Sequence, residues 1–375
     1  MNTILVTGSP GFIGANLVIK LLQTLESGLI VSLDNLNDYY DPELKLYRLN
    51  RIAEVAKEAA AKSSPVKHIF IKGDTADKDL ISSLFKQYRF DIVVNMAAQA
   101  GVRYSITNPD VYMNSNIIGF YNILEACRRS YDFVGAATSG TSDASACYAG
   151  VQHLVYASSS SVYGRNKKVP FSTDDKVDNP VSLYAATKKS NELLAHAYAK
   201  LYNIPSTGLR FFTVYGPAGR PDMFYFSATN KLVAGEKIQL FNYGDMKRDF
   251  TYIDDIVEGI IRVMARPPKK AVGEDGLPIP PYALYNIGGG QPEKLLDFIT
   301  VLQEELVRAT ILPKNYDFER HRELVGMQAG DVPVTYADSE PLERDFGFKP
   351  TTSIRDGLRK FCNWYAEYYI TQHND

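Results

Sequence analysis

Residues 7–14 read TGSPGFIG. An apolar run over 4–7 precedes them, and after them Ile13, Leu17 and Leu21 recur every fourth residue. The run predicts a strand and the recurrence predicts one face of a helix. Gly8, Gly11 and Gly14 then lie in a strand-to-helix turn. Glycine lets such a turn tighten and lets the backbone approach a pyrophosphate, and the helix N-terminus offers N–H groups to the anion. Working outward, residues 29–33 form a second strand that ends at Asp34. A carboxylate there accepts both ribose hydroxyls and repels a 2′-phosphate, so NAD is favoured over NADP. Asp74, after the third strand, either contacts the adenine or caps the helix that starts at Asp77.

The same alternation continues. Strands are expected at 68–71, 91–98, 153–158 and 206–213, and helices at 77–88, 109–129 and 184–202. Apolar strands spaced by amphipathic helices imply a parallel sheet covered on both faces. The expected fold is therefore α/β, a Rossmann-type doubly wound parallel sheet with a smaller C-terminal α/β substrate-binding lobe. Residues 1–215 are expected to form the NAD-binding domain. Residues 216–375 mainly form the lobe, over the carboxyl ends of the sheet, with a return to the first domain around 250–290. Residues 42–62 read as an extra helix, 267–281 as a surface loop and 353–369 as a closing helix. Residues 133–150, rich in Ser, Ala, Gly and Thr, read as a flexible insertion.

Composition narrows the class. Across 375 residues, 45% are apolar, 22% are charged and the formal net charge is -2, which excludes a basic footprint for nucleic acid. The three cysteines (Cys127, Cys147 and Cys362) have no regular spacing, and the five histidines are dispersed. Neither a disulfide framework nor a metal site is expected, and a reducing, cytoplasmic setting is the simplest reading. No signal peptide and no membrane span is read.

Tyr184 and Lys188 stand four residues apart, so a helix puts both on one face. An ammonium near a phenol favours the phenolate and makes the tyrosine an acid/base candidate. Serines 158–161 close the fifth strand, where a hydroxyl can meet a substrate hydroxyl. His196 reads as a helix-face residue, and Tyr39 and Tyr40 as packing or loop residues.

The glycine loop, Ser159, Tyr184 and Lys188 resemble the extended short-chain dehydrogenase/reductase superfamily. Within it the chain is most similar to UDP-glucuronate 4-epimerases. The segments that carry this are AAQAGVRYS (97–105), YASSSSVYG (156–164), PVSLYAATKK (180–189), LRFFTVYGP (209–217), GRPDM (219–223) and NYGDMKRDFTYIDD (242–255). The resemblance implies Tyr184 as acid/base, Lys188 as its partner and holder of the nicotinamide ribose, and Ser159 as the third catalytic residue. Gly8, Gly11, Phe12, Ile13, Gly14, Asp34, Asp74 and Ala97 would complete the NAD site. Ser160, Ser161 and Thr213 would line the sugar carboxylate. Arg103 and Arg220 would lie near the sugar and diphosphate, Arg248 on the UDP phosphates and Asp331 on the uridine ribose. Gln328 departs from the arginine that relatives often carry, which removes a charge there. A homodimer is implied by the resemblance alone. The rival readings are a UDP-glucuronate decarboxylase, a nucleotide-sugar 4,6-dehydratase and a non-catalytic NAD-binding regulator.

Overall fold

A computed structural model describes residues 2–62, 64–134, 148–327 and 331–371. Most of the expected insertion, with Cys147, and Gln328 lie outside the described residues. Strand β1 (Asn2–Thr7) passes through the glycine turn into α1 (Phe12–Thr24). The chain continues through β2 (Gly28–Asp34), α2 (Pro42–Ala61), β3 (Val66–Lys72), α3 (Lys78–Tyr88) and β4 (Ile92–Asn95). Two short turns, α4 (Tyr104–Thr107) and α5 (Pro109–Tyr112), precede a π-helical segment (Met113–Gly119) and α6 (Phe120–Ser130). Then come β5 (His153–Ser159), α7 (Leu183–Tyr202) and β6 (Ser206–Phe211).

After β6 the elements shorten: β7 (Thr213–Tyr215), α8 (Phe224–Val233), β8 (Ile238–Leu240), β9 (Lys247–Arg248) and β10 (Phe250–Tyr252). Helix α9 (Ile253–Met264) leads to β11 (Ala271–Val272), β12 (Pro278–Ile279) and β13 (Tyr282–Ile287). The chain closes with β14 (Glu293–Lys294), α10 (Leu295–Arg308), β15 (Arg322–Leu324), α11 (Glu340–Phe346) and α12 (Ile354–Tyr365).

Seven strands form one sheet in the order β13-β6-β5-β4-β1-β2-β3. The run from β3 through β2, β1 and β4 to β5 is parallel, and this is the Rossmann arrangement the alternating pattern predicts. Thr7 pairs with Leu33 on one side and Asn95 on the other, so β1, β2 and β4 end level with one another. The strands bury Leu5, Val31, Leu33, Val93 and Leu154 against Ile81, Leu84 and Phe85 of α3 and Ile123, Leu124 and Cys127 of α6. Each large side chain so buried contributes about 1.5–3 kcal/mol.

The chain divides into two compact units. One comprises 1–164, 177–210 and 260–285, and the other 165–176, 211–259 and 286–375. In the second, β7 pairs with β10, β9 with β14 and β8 with β15. Phe250 stacks on Phe298 of α10 at 3.9 Å between ring centroids.

Three local readings change. The helix expected over 109–129 is broken by the π-helical segment, because the buried Asn116 side chain bonds away from its own helix. It accepts from Gln99 N–H (2.8 Å) and donates to Gln99 O (3.0 Å) and Thr187 Oγ1 (3.0 Å). Within 267–281, read as a loop, β11 and β12 pair as a hairpin. The closing helix passes into a π-helical turn after Tyr365. No helix of the described residues is long and apolar enough to cross a membrane.

Candidate active site

In the first unit the glycine turn is shaped by what lies against it. Gly8 has φ +70°, and a Cβ there would stand 2.7 Å from the Ala97 nitrogen. A Cβ on Gly11 would stand 2.8 Å from Gly8 O, and one on Gly14 would overlap that oxygen. Ala97, implied by resemblance, therefore borders the turn directly. Thr7 fixes both strands: its hydroxyl donates to Asn95 Oδ1 (2.7 Å) and accepts from Ala97 N–H (3.1 Å). Helix α1 begins at Phe12 and Ile13 with no side-chain cap on Gly11. The turn also buries the Ser9 hydroxyl without a protein partner. A glycine-lined cradle before an uncapped helix fits a dinucleotide pyrophosphate.

Asp34 ends β2, half-buried, and accepts from Leu36 N–H at 2.7 Å. Burial raises its pKa, and nearby Lys45 works against that. Lys45 Nζ donates to both Asn37 O and Asn37 Oδ1 at 2.7 Å. Asp74 is not the cap of α3, since Asp77 holds that position with its own carboxylate. Asp74 instead accepts from Ala76 N–H and Asn35 Nδ2, each at 2.8 Å, and its charge acts on Asp34.

The catalytic candidates stand at the end of β5 and the start of α7. Ser182 caps α7 by accepting from Ala185 N–H at 3.1 Å, which fixes the first turn that carries Tyr184. One turn on, Lys188 is buried and donates to Ala157 O at 2.9 Å. Burial lowers its pKa to about 8. Ser159 accepts from Ser161 N–H at 3.2 Å, which leaves its own proton for another acceptor. Ser160 and Ser161 sit half-buried in the 3-10 turn that follows.

The neighbouring Ser158 points elsewhere. It donates to Glu192 Oε1 at 2.7 Å, and Glu192 holds Arg210 through two bonds of 2.8 and 2.9 Å. This buried pair locks the β5 end to α7 and β6. The sequence reading passed over it, although Glu192 lies one further turn along the Tyr184–Lys188 helix face.

In the second unit Thr213 opens β7, and its N–H donates to Asp249 O at 3.1 Å. Arg248, on β9, donates to Lys247 O (3.0 Å) and Pro333 O (3.1 Å). Burial lowers its pKa, and Asp331 partly restores it. Thr213, Arg248 and Asp331 are thus gathered around one strand segment. Asp249, which the sequence reading missed, organises it. Its buried carboxylate accepts from Gly289 N–H (2.6 Å), Gly290 N–H (3.1 Å) and Ala337 N–H (2.9 Å). Burial outweighs these bonds and lifts its pKa to about 6.

The model of the NAD dependent epimerase/dehydratase family matches residues 4–288. The chain belongs to this family. Its relatives include Protein CapI of Staphylococcus aureus, 46% identical over 98% of this chain and 99% of that protein. UDP-glucuronate 4-epimerase 4 of Arabidopsis thaliana is 41% identical over 98% of this chain and 76% of its own length. Among solved structures, UDP-glucuronic acid 4-epimerase from Bacillus cereus, in complex with UDP-glucuronic acid and NAD, matches with TM-score 0.77 and 28% identity. That match covers 98% of this chain and 100% of that one.

The remaining candidates of this epimerase/dehydratase chain are placed as follows. Arg103 is exposed at the start of α4 in the first unit. Arg220, in the second, is engaged by Asp222 through bonds of 3.0 and 2.6 Å. His196 is exposed on α7 and packs edge-on against Tyr282 at 5.1 Å. Among the described residues no group of three His, Cys, Asp or Glu side chains is placed to hold a metal ion.

Proposed function

We propose that this chain is an NAD-dependent 4-epimerase that interconverts UDP-glucuronate and UDP-galacturonate. The observation that carries the reading is the set of Ser159, Tyr184 and Lys188 at the end of β5 and the start of α7, in a chain whose relatives include UDP-glucuronate 4-epimerases. When bound, NAD supplies a reversible hydride acceptor at C4 of the sugar, which becomes a ketone and is reduced again on its other face. Tyr184 takes the 4-hydroxyl proton and gives it back. Lys188, one helical turn away, favours the tyrosinate by its charge and orients the nicotinamide ribose. Ser159 donates its hydroxyl proton to the substrate oxygen.

Gly8, Gly11, Phe12, Ile13, Gly14, Asp34, Asp74 and Ala97 are assigned to NAD. Ser160, Ser161, Thr213, Arg103, Arg220, Arg248 and Asp331 are assigned to the UDP-sugar. Residues 1–215 then form most of the NAD-binding domain and 216–375 mainly the substrate lobe, with the chain returning to the first domain around 250–290. The homodimer rests on the resemblance alone. The buried free thiols of Cys127 and Cys362 support a cytoplasmic setting.

Ser161 supports epimerisation over carbon dioxide loss. The 4-keto uronate is a β-keto acid and decarboxylates when its C5–C6 bond aligns with the carbonyl π-system. A neutral hydroxyl holds the carboxylate by hydrogen bonding, whereas an acidic side chain there would repel it. Incubation with UDP-glucuronate followed by product analysis tests the reading. UDP-galacturonate is the expected product, and a pentose nucleotide as the main product would overturn it.

A further inference from the structure

Strands β2 and β4 flank β1, so their ends lie about 10 Å apart with the glycine turn between them. The segments that leave β2 and β4 nevertheless meet. The ring of Tyr39, from the β2–α2 connection, packs on Tyr104 of α4 at 4.8 Å between centroids. Gly101 has φ +101°, and a Cβ there would overlap the Tyr39 hydroxyl. The contact therefore needs glycine at 101 both for its conformation and for its empty side.

Both sides of this crossing are braced. On the β2 side, Tyr40 touches Tyr39 at 6.0 Å. Arg48, buried on α2, ties Tyr40 to the glycine turn by donating to Tyr40 Oη (2.6 Å) and Pro10 O (3.1 Å). On the β4 side, the buried Tyr112 hydroxyl shares its one proton between Ala100 O (2.8 Å) and Gly101 O (2.5 Å). Its ring lies 6.3 Å from Tyr104 and 6.1 Å from Tyr184. A row of tyrosines thus runs from the adenosine side of the glycine turn to the catalytic tyrosine.

A dinucleotide seated at the glycine turn runs from the end of β2 to the end of β4, because ligands of this fold lie across the carboxyl ends of the strands. A contact that joins the two flanking segments bridges that path. We propose that Tyr39 and Tyr104 form a clasp that retains the dinucleotide, a role that rests on the NAD reading above. An epimerase that regenerates its own cofactor gains from such retention, since NAD that leaves as NADH strands the keto sugar. The clasp must open for the dinucleotide to exchange, and the ring contact sets how often it does.

The test measures exchange in the absence of any sugar nucleotide. Purified protein is loaded with radiolabelled NAD and chased with unlabelled NAD, and the release rate is followed for the parent, Tyr39→Ala, Tyr104→Ala, Tyr39→Phe and Tyr104→Phe. The alanine variants are expected to release NAD roughly tenfold faster, and the phenylalanine variants, which keep the rings, near the parent rate. The double alanine variant is expected to add little to either single one, because one contact is removed in each case. Release from both alanine variants at the parent rate would overturn the clasp while leaving the NAD reading intact. A parent protein that holds no NAD at all would overturn the NAD reading and the clasp with it. Circular dichroism of each variant establishes folding, and Tyr104→Ala, on a four-residue surface turn, carries the test if Tyr39→Ala does not fold.

Discussion

Lys188 in the first unit and Asp249 in the second are both buried charges, and they are held in opposite ways. Among the described residues Lys188 rests on a single carbonyl, that of Ala157, and burial alone draws its pKa down to about 8. Asp249 is wrapped by three backbone N–H groups from two distant segments. A buried cation with one neutral partner keeps its field unscreened for a nearby phenol, which suits the role proposed for Lys188. A buried anion saturated by backbone donors is fixed in place, which suits a group that fastens loops together. The contrast teaches that the catalytic candidates of the first unit rest on a local motif, whereas the proposed substrate residues of the second depend on a remote hub.

The largest effect should come from breaking the first device. Tyr184→Phe is expected to lower kcat by about 10²–10⁴-fold, the range of general acid–base groups, and Lys188→Ala by a comparable factor. Steady-state conversion of UDP-glucuronate by each variant measures both. A Tyr184→Phe protein with near-parent turnover would remove the mechanism.

Breaking the second device should act on binding rather than on chemistry. Asp249→Asn turns one accepting oxygen into a donor against the glycine and alanine N–H groups. It should loosen the segments around Arg248 and Thr213 and raise KM for UDP-glucuronate roughly tenfold, the scale of one lost charge-assisted hydrogen bond. Steady-state kinetics should show kcat changed much less than KM. A fall in kcat with KM unchanged would contradict the hub role. A smaller effect is expected at Asp34, where alanine should weaken NAD and narrow its advantage over NADP by several-fold. Equal use of both cofactors by the parent would defeat the assignment of Asp34.

The comparison also explains what the sequence disclosed. The glycine turn, Asp34 and the Tyr184–Lys188 pair are legible because each depends on short spacing along one strand or one helix. Ser159 could be told from Ser158 only through resemblance, since the partner that occupies Ser158, Glu192, is 34 residues away. Asp249 was invisible as a hub because its donors lie 40, 41 and 88 residues along the chain. The break in the helix over 109–129 was missed for the same reason: Asn116 answers to Gln99 and Thr187, not to its own helix. Of the two roles open to Asp74 the cap is excluded, because Asp77 holds that position, and pattern alone does not rank two such neighbouring carboxylates.

The smallest effect distinguishes the two units by their response to acid. His153, in the first unit, is buried between Met264 O (3.2 Å) and Thr207 Oγ1 (2.9 Å), and burial lowers its pKa from 6.5 to about 4. Between those values the unfolded chain binds the proton more readily, so this histidine contributes stability above pH 6.5 that is lost as pH falls toward 4. Asp249 has the opposite sign. Its pKa rises from 3.8 to about 6, so the folded chain binds the proton more readily. Its stabilising contribution is present below pH 3.8 and is lost as pH rises through 6. Each shift corresponds to about 3 kcal/mol at most, so in a single cooperative transition they nearly cancel. Differential scanning calorimetry between pH 4 and 7 should therefore show a shallow dependence of Tm for the parent, with other groups aside. His153→Gln should flatten or reverse the acid loss, and Asp249→Asn should steepen it. If the two units melt separately, the transition of the first should move down with acid and that of the second up. Acid profiles of both variants that run parallel to the parent's would show that neither group titrates across folding in this window.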